Sequence, residues 1–322
     1  MRAALALVLL AASLAAAAAT IDELARQAAR GSAEAKAEIS RLAAGGDTQA
    51  EHVMGMMHVS GKGAEQSDSQ ALEWFLRAAR KGHVESQHNA AVIYERTEGS
   101  RKDLAESRRW YRAAAEKGYA RSQAKLGALL LDGVGGTAKL AEGKAWIEKA
   151  AAQGDPYGRY RLGLLYLEGR GVEANVEAGA KLMRQAAEGG DREARYRLAL
   201  LHGTGAGVEK NDTLALEWLV RSAEQGLPEA QNLLGVIYGT GQYGVARNDK
   251  VSVQWLRRAA VQGYAEAEFS LGLAYAEGRG VKKDPQQAYG WFLRASRHGH
   301  APAKAYVKEI DAQMAKKREA RQ

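Results

Sequence analysis

The sequence has no cysteine and, beyond its first twenty residues, no long apolar run. The absence of cysteine excludes a disulfide framework, a thiolate metal site and a lipid-modified cysteine anchor. A small secreted disulfide scaffold is therefore excluded. A chain of this length must instead be stabilised by packing of apolar faces alone.

The N-terminus has the order of a secretory signal peptide. Arg2 supplies one positive charge, an apolar run extends from Ala3 to about Ala15, and small residues end at Ala19. A bilayer span needs roughly 20 apolar residues, so this run is short for a membrane anchor. We predict a signal peptide over residues 1–19 and a periplasmic product with no stable membrane span. Retention as an N-terminal anchor, or secretion out of the cell, are the alternatives.

The chain is basic, with a formal charge of +8. Loss of Arg2 with the signal would leave 45 basic and 38 acidic residues, a charge of +7. This balance favours anionic partners. Nucleic acid is not expected for an exported protein, whereas anionic polysaccharides, lipid headgroups and acidic proteins are.

Tryptophan recurs at a nearly constant interval of 36 residues. The series is Trp74, Trp110, Trp146, Leu182, Trp218, Trp255 and Trp291, with leucine in place of tryptophan at its fourth position. Small residues lie three positions before and four and five positions after each of these sites, on one helical stripe. A glycine such as Gly82 or Gly154 then follows, as a left-handed helix cap requires. The pattern predicts one helix per repeat, with the tryptophan site in its core.

The other half of each repeat carries a small residue in a second amphipathic pattern. Five of the seven copies have glycine there, at Gly55, Gly127, Gly163, Gly235 and Gly272. Such glycines predict a close crossing of two helices. The turns between the helices contain glycine, as in Gly169–Val172, and the one extra residue of the sixth repeat falls in its turn, around 240–245.

These segments resemble the Sel-1-like repeat, a relative of the tetratricopeptide repeat. The resemblance is carried by AQNLLGVIY at 230–238, GRGV at 278–281 and DPQQAYGWFLRASRHG at 284–299. It departs from the pattern in the turn Thr97–Ser100 and at Leu182. It implies an all-α protein, an α/α solenoid in which antiparallel helix pairs form a right-handed superhelix. The seven copies are predicted at 47–82, 83–118, 119–154, 155–190, 191–226, 227–263 and 264–299.

Helical caps are expected at both ends of the array, because stacked repeats need polar-faced terminal elements. Residues 20–46 read as two short alanine-rich helices. Residues 300–322 read as a final helix followed by a basic tail.

Catalytic and metal-binding motifs are weak in this sequence. The seven histidines include no His-Glu-x-x-His pair, and His58 and His202 occupy a tyrosine position of the repeat. His298 and His300 alone make a poor metal site. The glycine-rich stretch 203–207 follows a helix rather than a strand, unlike a phosphate loop. We therefore predict no enzyme activity, no cofactor and no metal.

The first helix of each repeat varies at a position two residues before the central small residue. Three consecutive copies are basic there, and tyrosine precedes two of them. We define the basic band as Arg121, Lys125, Arg159, Tyr160, Arg161, Arg195, Tyr196 and Arg197. In the family that the chain resembles, such helices line the concave face. Arg and Tyr are enriched at binding hot spots; the alternative is a solvated, charged surface.

Three functions are compatible with these features. The first is a periplasmic scaffold or regulatory adaptor that binds a protein partner along the concave surface, as the resemblance implies. The second is binding of an anionic envelope polymer, such as exopolysaccharide or peptidoglycan, through the basic band. The third is hydrolysis of cell-wall or lactam substrates, attributed to some cysteine-rich members of the family; the lack of cysteine weakens it.

Overall fold

A computed structural model describes residues 21–96 and 101–319. The predicted signal peptide and the divergent turn Thr97–Ser100 lie outside these residues. Within the described ranges every regular element is a helix, and there are seventeen of them. The all-α solenoid prediction is confirmed.

The helices alternate with short turns along the chain. A helix at 21–29, α1, and α2 (Ala33–Ala44) precede the repeats, and α17 (Ala301–Glu319) follows them. The first helices of the seven repeats are α3 (Thr48–Ser60), α5 (Val84–Arg96), α7 (Ala120–Asp132), α9 (Pro156–Glu168), α11 (Arg192–Thr204), α13 (Pro228–Thr240) and α15 (Ala265–Glu277). The second helices are α4 (Asp68–Arg80), α6 (Arg101–Glu116), α8 (Leu140–Ala152), α10 (Val176–Glu188), α12 (Asp212–Glu224), α14 (Asp249–Ala260) and α16 (Pro285–Arg297).

Local capping sets many of the helix ends. Asp47 and Asp191 each accept a hydrogen bond from a backbone N–H of the first turn, at 2.8 Å. Such side chains satisfy donors that the helix itself leaves unpaired. Six of the seven first helices end at a left-handed glycine, for example Gly61 with φ 68° and Gly278 with φ 79°. A side chain at these positions would be strained, which explains why glycine recurs there.

The two helices of a repeat cross closely at the central glycine. A Cβ atom added to Gly55 would lie 2.5 Å from the ring of Phe75, and one added to Gly272 would lie 2.6 Å from Phe292. At Gly127 the nearest atoms include the Gly143 carbonyl oxygen, at 2.7 Å. These contacts leave no room for a larger residue.

The tryptophans lie at the edge of the core rather than at its centre, which corrects the position predicted for them. The buried position is the next residue: Phe75, Tyr111, Ile147, Met183, Leu219, Leu256 and Phe292. Leu182, which replaces tryptophan, is likewise only partly buried. For most of the tryptophans, a basic side chain three residues later lies over the indole ring. The guanidinium carbon of Arg221, for example, lies 4.7 Å from the centroid of the Trp218 ring. The indole is too large for the close crossing, so the smaller neighbour enters it.

Contacts divide the chain into two compact units, Met1–Gly158 and Arg159–Gln322. Each has its own buried clusters: Ile39 and Leu126 lie in the first unit, and Leu198 and Leu234 in the second. No helix in the described ranges is long and apolar enough to cross a membrane.

Candidate functional site

The first helices of the second unit present two parallel rows of side chains. The position predicted to vary carries Arg161, Arg197, Leu233 and Ser270. Three residues further on, and therefore next to it on the same helix face, lie Leu164, Leu200, Val236 and Leu273, which we call the apolar row. Arg197 is exposed, and Val236 is 38% exposed. Two arginines thus border a partly exposed apolar row.

In the first unit, the basic band is represented by Arg121 and Lys125 on α7. Arg121 is exposed. Lys125 is half-buried: its Nζ lies 3.2 Å from Glu95 Oε1 and 5.3 Å from the centroid of the Tyr157 ring. Because a carboxylate already pairs with Lys125, this cation is a weaker candidate for binding than Arg121.

The two tyrosines of the band are partly structural. Tyr160 packs against the cluster around Met183 and Leu198, and Tyr196 packs against the cluster around Leu219 and Leu234. Burial raises the pKa of both hydroxyls, although the charge of Arg197 acts in the opposite direction. Tyr160 and Arg197 are also joined by a side-chain hydrogen bond. The phenol ring therefore helps to position the arginine.

Arg195 has a structural role that the sequence interpretation missed. Its Nε donates to the Ala187 carbonyl oxygen at 2.9 Å. Glutamine makes the same contact in three other repeats, where Gln87, Gln123 and Gln231 donate to Ala79, Ala115 and Ala223. The recurrence of glutamine at this repeat position was the feature of the sequence that could have indicated the structural role of Arg195. Arg159 occupies the same repeat position as Arg195 and is half-buried, as Arg161 is, whereas Arg197 is exposed.

The first unit also contains a group of half-buried and buried histidines that the sequence interpretation did not recognise as a cluster. The Nδ1 atoms of His52 and His83 lie 2.9 and 3.0 Å from the Ser86 hydroxyl. In the next repeat, His88 Nδ1 lies 2.9 Å from the Ser122 hydroxyl. Burial lowers the pKa of His52 and of His88 to about 4. Since both serines are fully buried, this arrangement holds repeats together and offers no accessible nucleophile.

The remaining histidines bind protein groups. His58 and His202 contact backbone carbonyls of their own turns, at 2.9 and 3.1 Å. His298 pairs with Glu268 at 2.7 Å, whereas His300 receives the backbone N–H of Ala303 at 3.1 Å. Among the described residues, no group of three or more His, Asp or Glu side chains could hold a metal ion.

Comparison with known families identifies the repeat. The model of the Sel1 repeat matches residues 48–83, 84–119, 120–155, 156–191, 192–227, 228–264 and 265–300. The chain belongs to the Sel1 repeat family. Proteins of this family are generally non-catalytic scaffolds for protein interaction.

Solved Sel1 repeat structures resemble this Sel1 repeat protein over most of its length. A Sel1 repeat protein from Oxalobacter formigenes is 30% identical, with a TM-score of 0.64 over 91% of this chain and 86% of that one. The protective antigen c5321 of uropathogenic Escherichia coli is 32% identical, with a TM-score of 0.56 over 91% and 67% of the two chains. No curated protein matches the chain.

Proposed function

We propose that this Sel1 repeat protein is a non-catalytic scaffold or regulatory adaptor of the bacterial cell envelope. It binds a protein partner through the first-helix surface of the second unit. The observation that carries the proposal is the apolar row, Leu164, Leu200, Val236 and Leu273, lying beside Arg161 and Arg197. An acidic and apolar partner segment would complement both rows.

The apolar row distinguishes a protein partner from a polymer. An anionic polysaccharide would contact the arginines but would gain little from leucine and valine side chains. A protein segment can bury these side chains, at about 25 cal/mol per Å² of apolar surface removed from water. A protein partner is therefore the function that this surface supports best.

The envelope location rests on the signal-like residues 1–19. Export would be accompanied by cleavage near Ala19. Mass spectrometry of the protein recovered from the periplasmic fraction should show a chain that begins at Thr20. A full-length chain confined to the cytoplasm would contradict the proposed location.

The partner can be sought by affinity capture from envelope extract at low and high salt. The test variant is Arg161→Glu with Arg197→Glu. Its matched control, Lys181→Glu with Arg184→Glu, makes the same change of charge at two exposed positions of α10, a second helix. We expect one protein species to be enriched by the wild type and the control, and lost with the test variant.

Two results would count against this proposal, the first against its binding surface and the second against the scaffold function. Equal recovery by both double variants would remove the arginines from the binding surface. Recovery of polysaccharide alone, released by salt, would instead favour the polymer-binding alternative.

A further inference from the structure

The second unit contains a pocket at the junction of α13, α14 and α15. It has a volume of about 200 Å³. Val236 and Leu273 of the apolar row line it, together with Gly239, Ser252, Ser270 and Arg279. The pocket therefore opens beside the surface proposed to bind a partner.

Smaller side chains account for part of this space. The repeat that begins at Arg192 has an equivalent junction between α11, α12 and α13. Five lining positions are larger there: Ala199, Leu200, Leu216, Leu233 and Ile237 stand where the pocket has Gly235, Val236, Val253, Ser270 and Ala274. Three lining positions change in the opposite sense, with Ser252, Leu273 and Arg279 where the equivalent junction has Ala215, Val236 and Gln242. The reductions therefore account for only part of the space at α13–α15.

The equivalent junction is also filled by an aromatic ring. A Cβ atom added to Gly203, the counterpart of Gly239, would lie 2.5 Å from the Tyr243 hydroxyl oxygen and 3.1 Å from its Cε1. Tyr243 is the extra residue of the sixth repeat, and it has a φ of 55°, unusual for a non-glycine residue. The corresponding turn of the seventh repeat, Gly278–Val281, has no inserted residue. Nothing in that turn can therefore play the part of Tyr243 beside Gly239.

The polar groups at the pocket do not favour a charged ligand. The hydroxyls of Ser252 and Thr240 donate to the backbone carbonyls of Gly235 and Val236, at 2.6 and 2.8 Å. Asp249 pairs with Arg247 at 3.0 Å, and Arg279 pairs with Glu277 at 2.6 Å. A cavity of about 150 Å³ is large enough to bind benzene. The size and the lining both suit one aromatic ring.

We infer that the pocket beside Gly239 receives an aromatic side chain of the protein partner, in the way that Tyr243 fills the equivalent site beside Gly203. The inference rests on the proposed function for the source of that side chain. It adds a specificity element, because a partner that lacks an aromatic residue at this point would leave the pocket empty.

The probe for this pocket is p-cresol, the side chain of tyrosine. Methyl groups of Val236, Leu273 and Ala274 can be followed by NMR during a titration. We expect saturable shifts of these methyl signals in the wild type. Ser270→Leu and Ala274→Ile restore the larger residues of the equivalent site and should weaken p-cresol binding by roughly tenfold or more.

Two controls accompany the titration. Ser60→Leu introduces the same change at an exposed position of α3 and should leave binding unchanged. Tyr243→Ala empties the site beside Gly203, so p-cresol should bind a second time and raise the melting temperature of this variant. Circular dichroism establishes that each variant is folded.

Absence of saturable shifts in the wild type, or equal binding by folded Ser270→Leu, would overturn the inference. Capture from envelope extract separates it from the proposed function. Binding of p-cresol without any captured protein would contradict the scaffold function and leave the aromatic site standing. Undiminished capture by Ser270→Leu would remove the pocket from partner binding while the scaffold function stands.

Discussion

At the scale of single residues, helical glycines of this protein fall into two kinds. Gly127 lies at a helix crossing, where an added Cβ atom would be 2.6 Å from Ile147 Cγ1 and 2.7 Å from the Gly143 carbonyl oxygen. Gly290, on α16, has no atom within 4 Å of such a position. The same residue type is therefore required by packing at one site and by nothing visible at the other.

Alanine should have opposite effects at these two glycines. Gly127→Ala forces two helices apart and should lower the free energy of unfolding by about 1–3 kcal/mol. Gly290→Ala should raise it by about 0.4–1 kcal/mol, because alanine reduces the entropy of the unfolded chain. Urea denaturation of both variants checks this. Equal urea midpoints for the two variants would show that the helices crossing at Gly127 can move apart without loss of stability.

The buried His88 should make stability depend on pH. Burial lowers its pKa in the folded protein to about 4, with smaller contributions from Arg121 and Lys125. The unfolded state, with a pKa of about 6.5, binds the proton more readily. The contribution of neutral His88 to the free energy of unfolding should therefore be fully present above about pH 6.5. It should fall as the pH decreases towards 4, by up to about 1.4 kcal/mol per pH unit.

The variant His88→Asn tests this dependence. It should be less stable at pH 7, since ring contacts with Tyr111 and Tyr119 are lost. Its urea midpoint should nevertheless change less between pH 7 and pH 5 than that of the wild type. Parallel pH profiles would rule out a contribution from His88.

At the scale of elements, the side chain that follows a second helix makes a polar contact with the first helix or the preceding turn in six of the seven repeats; the fourth has Gly189 there. In the first repeat, Lys81 Nζ donates to Glu51 Oε1 and to the Gly46 carbonyl oxygen, both at 2.8 Å. The third repeat uses neutral groups instead, and Gln153 donates to Gln123 at 2.7 Å. Glu51 is 3% exposed, and its Oε2 has no hydrogen-bond partner. The charged contact of the first repeat should therefore be more sensitive to the loss of one partner than the neutral contact of the third repeat.

Loss of the lysine should be costly, and a neutral pair should compensate for it. Lys81→Met leaves the Glu51 carboxylate buried without its cation and should destabilise the protein by roughly 1–3 kcal/mol. The double variant Glu51→Gln with Lys81→Gln copies the third repeat and should recover most of that loss. Thermal unfolding of the single and double variants measures the difference. A double variant as unstable as Lys81→Met would disprove the compensation.

At the scale of the whole molecule, repeats contact mainly their neighbours in sequence. The stability of such arrays is close to a sum of repeat and nearest-neighbour terms. A defect in one repeat should therefore weaken adjacent helices more than distant ones.

Hydrogen exchange with Gly272→Ala tests this localisation. An added Cβ atom would lie 2.6 Å from Phe292 Cε1, so the crossing of α15 and α16 should be disrupted. Amide protection should fall most in α13–α17 and least in α2–α4. Gly290→Ala, on the same α16, serves as the control. A uniform loss of protection along the chain would contradict nearest-neighbour behaviour.

The sequence by itself determined the family, the seven helix pairs and the close crossing at the central glycines. A period of 36 residues repeats each helix signal many times, so that chance variation in one copy does not obscure it. It also predicted the basic band, which includes Arg161 and Arg197, from a position that varies between repeats.

Only the tertiary structure decided which side chains enter the core and which remain at the surface. Phe75 rather than Trp74 is fully buried, because the room at a crossing depends on the opposing helix. The sequence pattern places Arg195 in the basic band, whereas in the structure its Nε donates to the Ala187 carbonyl oxygen. The pocket beside Gly239 and the ring of Tyr243 beside Gly203 arise from residues of three helices and a turn. Such packing depends on distances between segments far apart in sequence, which periodicity does not specify.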